Sequence, residues 1–503
     1  MKFLSLNLLI FSPLIVPFFF MLPIFRGHEV FIRRFAKGFA SIHFLYTVCF
    51  WLFYNPEATY FSEASIFGQS GIQSLGIRTI YTMDGFSLAL VVLTSFLILM
   101  ATIASKSCIR KRHKLYYSLI FLLEVAILGV FTSADMFLFF FFWELELIPM
   151  YFLISLWGSG NSQKSAMKFI LYTFFGSMFM LVGILLLHYF NDTINLQVTS
   201  LFTDVNLVDK LPINIQVLIS ILLMIGFFVK MPVIPFHTWL PNAHVDAPTP
   251  VSMLLAGLLL KLGAYGLIRF NVMILPDAFK LIAPILIIFA VINIVHSAFV
   301  AYVQKDIKKL VAYSSISNMG IVLLGICAVN EVGLSGGIFQ MVSHGLIAAG
   351  LFMAVGIIYT RTKTRDIKML GGFATVMPTL MGFCILLSLA SVGMPLMAGF
   401  VGEFLSFWGA FNCHLETQIP VIAFVVIAMS VVVLSIAYML KFLHKTFYGE
   451  IREQWQSVRD VSTHEFVVLS LIIGVILFLG IFPMILLDVI NPVVELIVES
   501  VGL

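Results

Sequence analysis

The sequence predicts an all-α polytopic membrane protein of about fourteen transmembrane helices, arranged as two inverted five-helix repeats with two broken helices. Three observations predict this. Of 503 residues, 61% are hydrophobic and only 11% charged, with a mean hydropathy of +1.06. A soluble chain of this length needs far more polar surface, whereas lipid-facing helices need almost none. Apolar runs of about 18–25 residues recur along the chain, each long enough to cross a bilayer. Two of these runs are interrupted by Pro or Gly beside a single ionisable residue.

Taken in order, the spans fall near residues 3–25, 38–54, 85–104, 115–133, 136–157, 166–190, 214–240, 249–270, 279–300, 309–328, 332–358, 373–411, 419–447 and 465–488. The first resembles a secretory signal, with Lys2 before an apolar run. It is long enough to span, carries Pro13 and Pro17 and lacks a small-residue cleavage site, so it is read as a membrane helix. The seventh reads Gly226-Phe-Phe-Val-Lys230-Met-Pro232-Val-Ile-Pro235, and the twelfth runs from Gly393-Met-Pro395 through Gly399 and Gly402 to Glu403. The twelfth stretch is too long for one straight helix and must break. Proline removes a backbone donor and opens the helix ladder, freeing groups that bind ions or water. Broken helices at corresponding positions point to inverted repeats. The expected organisation is residues 1–114 for the first three helices, 115–270 for the first repeat, 271–447 for the second, and 448–503 for a loop and the last helix.

Orientation follows from the loops. Twenty-two of the 29 Lys and Arg lie on alternate connections, among them Arg26 to Lys37, Lys106 to Lys114, Lys305 to Lys309 and Arg361 to Lys368. The other side has Lys2, Arg78, Lys210, Arg269 and Lys280. The positive-inside rule puts the first set in the cytoplasm and both termini outside. The expected location is a bacterial inner membrane, with a thylakoid membrane also compatible.

Composition excludes several functions. The formal charge of +4 resides in short loops, so nucleic acid is not an expected partner. Five scattered cysteines show no Cys-x-x-Cys spacing, which argues against iron–sulfur, structural zinc or a disulfide framework. The longest extramembrane pieces, Asn55 to Asp84 and Glu450 to His464, are too short for a core of their own. No phosphate-binding glycine motif is present in context, so ATP-driven pumping and NADH chemistry are not expected here. No cofactor and no metal are expected in this chain.

The ionisable residues inside apolar runs carry the functional signal. Glu144, Lys230, Lys261 and Glu403 each cost about 2.5–3.5 kcal/mol to insert at a bilayer centre, and such residues mark ion or proton pathways. Glu144 sits mid-span after Phe137-Leu-Phe-Phe-Phe-Phe-Trp143, and Lys230 is its natural partner. Glu146 lies two residues on, about 200° around the helix, so the two carboxylates cannot share a face. Glu146 and Glu124 either line a side path or pair structurally. His344 is mid-span and suited to relaying protons. His237 and His244 flank the seventh span at a candidate entrance, whereas His43, His188 and His296 have no such context and are read as structural. The competing account of all these charges is a set of static pairs holding a scaffold together.

At this point long motifs resemble a known family. Phe142-Trp-Glu144-Leu-Glu-Leu-Ile-Pro, Val229-Lys230-Met-Pro-Val-Ile-Pro-Phe-His-Thr-Trp-Leu-Pro241-Asn-Ala-His244, Leu254-Leu-Ala-Gly-Leu-Leu-Leu-Lys261, Gln340-Met-Val-Ser-His344-Gly and Gly399-Phe-Val-Gly-Glu403-Phe are similar to the antiporter-like M-type subunits of complex I, the NADH:quinone oxidoreductase. The resemblance covers essentially the whole chain. It implies fourteen helices with two inverted half-channels and a non-redox, proton-translocating subunit of the enzyme, coupled to quinone reduction elsewhere in the complex. Its partners would be neighbouring antiporter-like membrane subunits, the lipid bilayer and protons. The relay implied is Glu144, Lys230, Lys261, water near Asn318, His344 and Glu403. Sister cation/proton antiporter subunits of the Mrp type usually carry lysine where this chain has Glu403, which favours the M type; the Mrp-type reading is the alternative. One departure stands out: where the family often has histidine in Ser-x-Ser-His-x-Gly, this chain reads Ser315-Ile-Ser317-Asn318-Met-Gly320. Asparagine orients a water but takes no proton. The Glu144/Glu146 double acid resembles photosynthetic forms and leaves the electron donor open.

Overall fold

The computed structural model describes residues 4–22, 28–55, 61–64, 80–190, 211–413 and 419–502. Among these, α1 (Leu6–Met21) is followed by α2 (Glu29–Leu52), α3 (Gly85–Cys108), α4 (His113–Thr132), α5 (Met136–Trp157), α6 (Ser162–Phe190) and α7 (Ile213–Lys230). A short α8 (Leu240–Asp246) leads to α9 (Thr249–Val272), α10 (Pro276–Val303), α11 (Ile307–Cys327) and α12 (Glu331–Thr362). The chain ends with α13 (Pro378–Ser391), α14 (Ala398–Phe411), α15 (Val421–Phe447), α16 (Thr463–Ile481) and α17 (Met484–Val501). Twelve of these helices are long and apolar enough to cross a membrane. Of the outer loop expected at 55–84, the described part holds an antiparallel pair, β1 (Phe61–Ala64) and β2 (Ile80–Met83), with Glu63 opposite Tyr81. Arg26, Lys2, Arg78 and Lys210, used in the orientation argument, lie outside the described residues.

Polar residues just ahead of the apolar runs start several helices. Asp84 accepts from the Ser87 amide, Asp135 from Phe137 and Leu138, Asp306 from Lys308 and Lys309, and Asn330 from Gly333. Each satisfies amides that a helix start leaves without partners. The expected interruptions are present. α7 stops at Lys230, and the freed carbonyl of Val229 accepts the Trp239 indole N–H at 2.8 Å. The stretch 373–411 splits into α13 and α14, joined through Gly393 and Leu396, both at positive φ.

Three features differ from the sequence reading. α9 is also interrupted, since its turns at Leu255–Leu259 and Leu267–Val272 are π-helical and flank Lys261. No Pro marks these turns. The last expected span, 465–488, ends at Ile481, and a separate amphipathic helix, α17, begins at Met484 within it and packs on α3 and α12; Asp488, Glu495 and Glu499 break up its apolar run. Arg269 and Lys308, counted with the loops, are buried. Arg269 reaches Asp84 at 2.5 Å and Ser87 at 3.1 Å, while Lys308 donates to the Ala247 carbonyl at 2.6 Å. Both sit within a helix end, where a long side chain turns inward if a partner is available.

α9 and α12 are buried along their whole apolar windows, and α11, α3 and α4 nearly so. The other helices surround them and turn Phe174, Phe175, Val433 and similar side chains outward. Such faces suit lipid, and the buried axis is where polar groups need partners.

Candidate functional site

The geometry begins at the α5–α7 contact. The ammonium of Lys230 forms an ion pair with Glu146, both essentially inaccessible, and lies 4.9 Å from the Trp143 ring and 5.8 Å from that of Phe169. Glu146 is thus the acid in contact with Lys230, while Glu144, the expected partner, lies within electrostatic range of the same ammonium. The two-residue step, about 200° of helix, lets only one of the acids face α7. Glu144 is half-buried, and its Oε1 has no hydrogen-bond partner. Glu124 is elsewhere, with its carboxylate 2.9 Å from His43 Nδ1 on α2. His43 also reaches the Leu9 carbonyl at 3.0 Å, so this pair ties α1, α2 and α4 together.

Gly263 carries the site from α7 to α9. A Cβ there would sit 2.7 Å from the Met231 amide, so only glycine lets α9 close on the end of α7 beside Lys230. Two residues earlier, about 200° around α9, Lys261 Nζ donates to the Ala256 carbonyl at 2.5 Å and lies 2.9 Å from His344 Nδ1. The acceptor carbonyl belongs to the π-helical turn, and such turns are frequent at functional sites. α9 and α12 cross at Gly257 and Gly345, where a Cβ on Gly345 would stand 2.9 Å from the Gly257 carbonyl.

The next groups follow along α12. Gln340, one turn from His344, donates to Asn318 Oδ1 at 2.9 Å and accepts from Ser343 Oγ at 2.8 Å; Asn318 in turn donates to the Ser314 carbonyl at 3.0 Å. Lys261 therefore meets His344 directly, and Asn318 lies one step beyond rather than between them. α14 packs on the same place, since a Cβ on Gly402 would be 2.8 Å from the Gln340 amide nitrogen. Adjacent Glu403 is buried, with its carboxyl carbon 3.1 Å from where a Cβ on Gly393 would be. Gly393 sits at φ +73, the left-handed region that glycine tolerates, in the break between α13 and α14.

Two histidines are more informative in space than in sequence. His244 is fully buried, stacked 4.3 Å from the Phe352 ring, with neither ring nitrogen hydrogen-bonded. It lies within electrostatic range of both Lys308 and Lys261. His237 lies past the end of α7 with His296 at 5.9 Å between ring centroids, so His296 has a polar neighbour that its isolated place in the chain did not disclose. Gln340 was also not singled out. The available signal was its i−4 spacing from His344, which puts both on one face of α12. No group of three or more metal-ligating side chains occurs among the described residues.

Chemically, this is a thread of ionisable and amide groups through an apolar interior. A proton passing from Lys230 to Glu146 would neutralise both partners. Between Lys261 and His344, one hydrogen bond accommodates an ammonium donating to a neutral ring or an imidazolium donating to a neutral amine. Gln340 and Asn318 do not titrate, though amides of this kind can orient water, and the buried Glu403 carboxyl can take up or release a proton.

Comparison with known proteins gives the context. The sequence profile of the family described as NADH:quinone oxidoreductase/Mrp antiporter, transmembrane, matches residues 133–430. NADH-quinone oxidoreductase subunit M of Rickettsia prowazekii (strain Madrid E) is 40% identical over 425 residues, 84% of each chain. NAD(P)H-quinone oxidoreductase chain 4 2 of Thermosynechococcus vestitus is 37% identical, over 95% of this chain and 89% of its own. A chain of respiratory complex I from Thermus thermophilus with bound NADH superposes with a TM-score of 0.87 at 25% identity, covering 99% of this chain and 100% of that one. A chain of the Mrp complex from Dietzia sp. DQ12-45-1b, at 20% identity and a TM-score of 0.85, shares the fold. The profile spans every ionisable residue of the thread from Glu144 to Glu403, and the chain belongs to the NADH:quinone oxidoreductase/Mrp antiporter family of transmembrane subunits.

Proposed function

We propose that this chain is the M-type proton-translocating subunit of a complex I-type NADH:quinone oxidoreductase, assembled with neighbouring antiporter-like membrane subunits and carrying no redox centre. The names of the relatives at 36–40% identity support the M-type assignment. The observation that carries pumping is the buried succession Glu146–Lys230, Lys261–His344, Gln340–Asn318 and Glu403. In the mechanism, pairing with Glu146 holds a proton on Lys230. Opening of that pair leaves an ammonium in dry surroundings, and its proton moves toward Lys261. The Lys261–His344 bond then discharges on its far side, through water oriented by Gln340 and Asn318, to Glu403. Glu144, flanking the pair, would set how readily it opens. We assign the cation-rich loops to the cytoplasm and both termini to the outer side.

The test uses the assembled complex in proteoliposomes. Lys261→Ala is expected to cut pumping by at least tenfold with the complex intact. Lys261→Arg is expected to fail in large part, because arginine keeps the charge and releases no proton. Pumping by the Arg variant at the wild-type rate would make Lys261 a fixed charge and end the relay. Glu403→Lys separates this reading from the Mrp-type one: the M-type relay loses most of its pumping, whereas an Mrp-type path tolerates the lysine.

A further inference from the structure

The outer face of α13 and α15 holds a groove of about 740 Å³ that the relay does not use. One wall is the stripe Met381, Ile385 and Leu389 of α13; the other is Ala437 and Leu440 of α15. The α15 stripe then changes character, and Lys441, His444 and Lys445 line the same groove. These positions follow the i, i+3, i+4 spacing, so the apolar and cationic parts share one helix face, about 12 Å from Ala437 to Lys445. The chain leading into α13 is bonded to the end of α15, through Ala374 N–H to the Phe447 carbonyl at 2.9 Å and Gly372 N–H to Tyr448 at 3.1 Å. The cations therefore stand at the α13 start, and the apolar walls run inward from them.

The end of this groove is built. Lys441 bends onto the carbonyls of Tyr302 and Gln304, the latter at 3.2 Å, and lies 5.2 Å from the Tyr302 ring. His444 stacks on Tyr448 at 6.0 Å. His444 and Lys445 are exposed. Among the described residues, no acidic side chain forms an ion pair with Lys441, His444 or Lys445. A snorkelling lysine reaches out to water, but Lys441 is held over the groove mouth. Tyrosines at the rim mark the depth of lipid headgroups, and basic clusters between transmembrane helices recruit anionic heads.

We propose that this groove binds one anionic phospholipid, with its phosphate at His444 and Lys445 beside the fixed Lys441 and an acyl chain between α13 and α15. The apolar walls would seat the chain, and the cations would select the head. The occupant is a lipid rather than a protein segment because the groove is apolar along its length and cationic at one end only, matching the profile of a single leaflet.

The experiment uses the assembled complex and phosphatidylglycerol bearing a photoreactive acyl chain, with cross-links mapped by peptide mass spectrometry. Labelling of the segment 434–448 is expected in the unmodified complex. Lys445→Glu combined with His444→Gln should reduce it roughly five- to tenfold. Leu440→Trp, which fills the apolar part and leaves the charges, should reduce it comparably. Unchanged labelling in these variants, or equal labelling by photoreactive phosphatidylcholine, would overturn the proposal. So would a cross-link from Leu440→Cys to a neighbouring subunit in place of lipid.

Discussion

Among single residues, Glu144 and Glu146 show how much a two-residue step decides. Both are acids in one apolar span, yet only Glu146 is in contact with Lys230, with Glu144 acting on it at longer range. Removing one partner of a buried ion pair leaves an uncompensated charge and costs about 3–5 kcal/mol. Glu146→Gln is therefore expected to abolish pumping and lower the thermal stability of the assembled complex. Glu144→Gln should leave stability unchanged and slow pumping only. Equal thermal shifts in the two variants would contradict the assignment. Gln340 and Asn318 supply a second test, because amides serve by orienting water. Gln340→Leu removes the hydrogen bond that holds Asn318 and is expected to slow pumping several-fold without loss of assembly, whereas Asn318→His should be tolerated. Wild-type rates for Gln340→Leu would place the path elsewhere.

At the scale of elements, the crossing of α9 and α12 depends on Gly257 and Gly345. Gly345→Val forces the helices apart and lengthens the 2.9 Å contact between Lys261 and His344. Overpacking of this kind costs about 1–3 kcal/mol. The expected outcome is a modest drop in melting temperature with a disproportionate loss of pumping; pumping that falls only in step with the amount of assembled complex would show that the contact is dispensable. Beside the β1–β2 pair, Glu63 of β1 accepts from Ser5 Oγ at 2.8 Å, Asn7 Nδ2 at 2.7 Å and the Leu6 amide at 2.5 Å, clamping the start of α1. Partial burial pushes its carboxyl up, but the hydrogen bonds from Asn7, Ser5 and the Leu6 and Asn7 amides prevail and hold it below the usual 4.5. A carboxyl lowered on folding contributes stability above its unfolded value and loses it as pH falls through the folded one. Amide exchange in α1 is therefore expected to accelerate as pH drops below about 4.5, after correction for the intrinsic rate, and to become pH-independent in Glu63→Gln. Identical corrected profiles would remove the clamp from consideration.

For the molecule as a whole, hydropathy made the membrane class and most spans legible, because bilayer thickness imposes helix length whatever the tertiary packing. Breaks at Lys230 and ahead of Glu403 were legible because Pro and Gly act locally. The π turns around Lys261 were not, since no local residue signals them and they depend on packing between α9 and its neighbours. The ionisable members of the site were legible by their cost in an apolar run. Their partners were not: the choice of Glu146 over Glu144 and the direct bond between Lys261 and His344 depend on helix rotation, which composition does not encode. Buried Arg269 and Lys308 were misread for a related reason, as a charge near a helix end looks the same in sequence whether it faces water or an internal partner.

The two π turns of α9 leave a rigid piece, Leu260–Gly266, between two softened joints, with Lys261 near one of them. Within the far joint, Arg269 is latched to Asp84 at the start of α3. A rod with two joints, one of them latched, turns most easily between them, so the swing that would carry the Lys261 amine between the α7 side and the α12 side need not disturb the ends of the helix. Arg269→Met releases the latch and is expected to let the rotation spread outward, seen as faster amide exchange beyond residue 269 while exchange at 256–262 stays as it was. Viewed in this way, α9 is a short crank held in a long bearing, and its stroke is limited by the spacing of its joints.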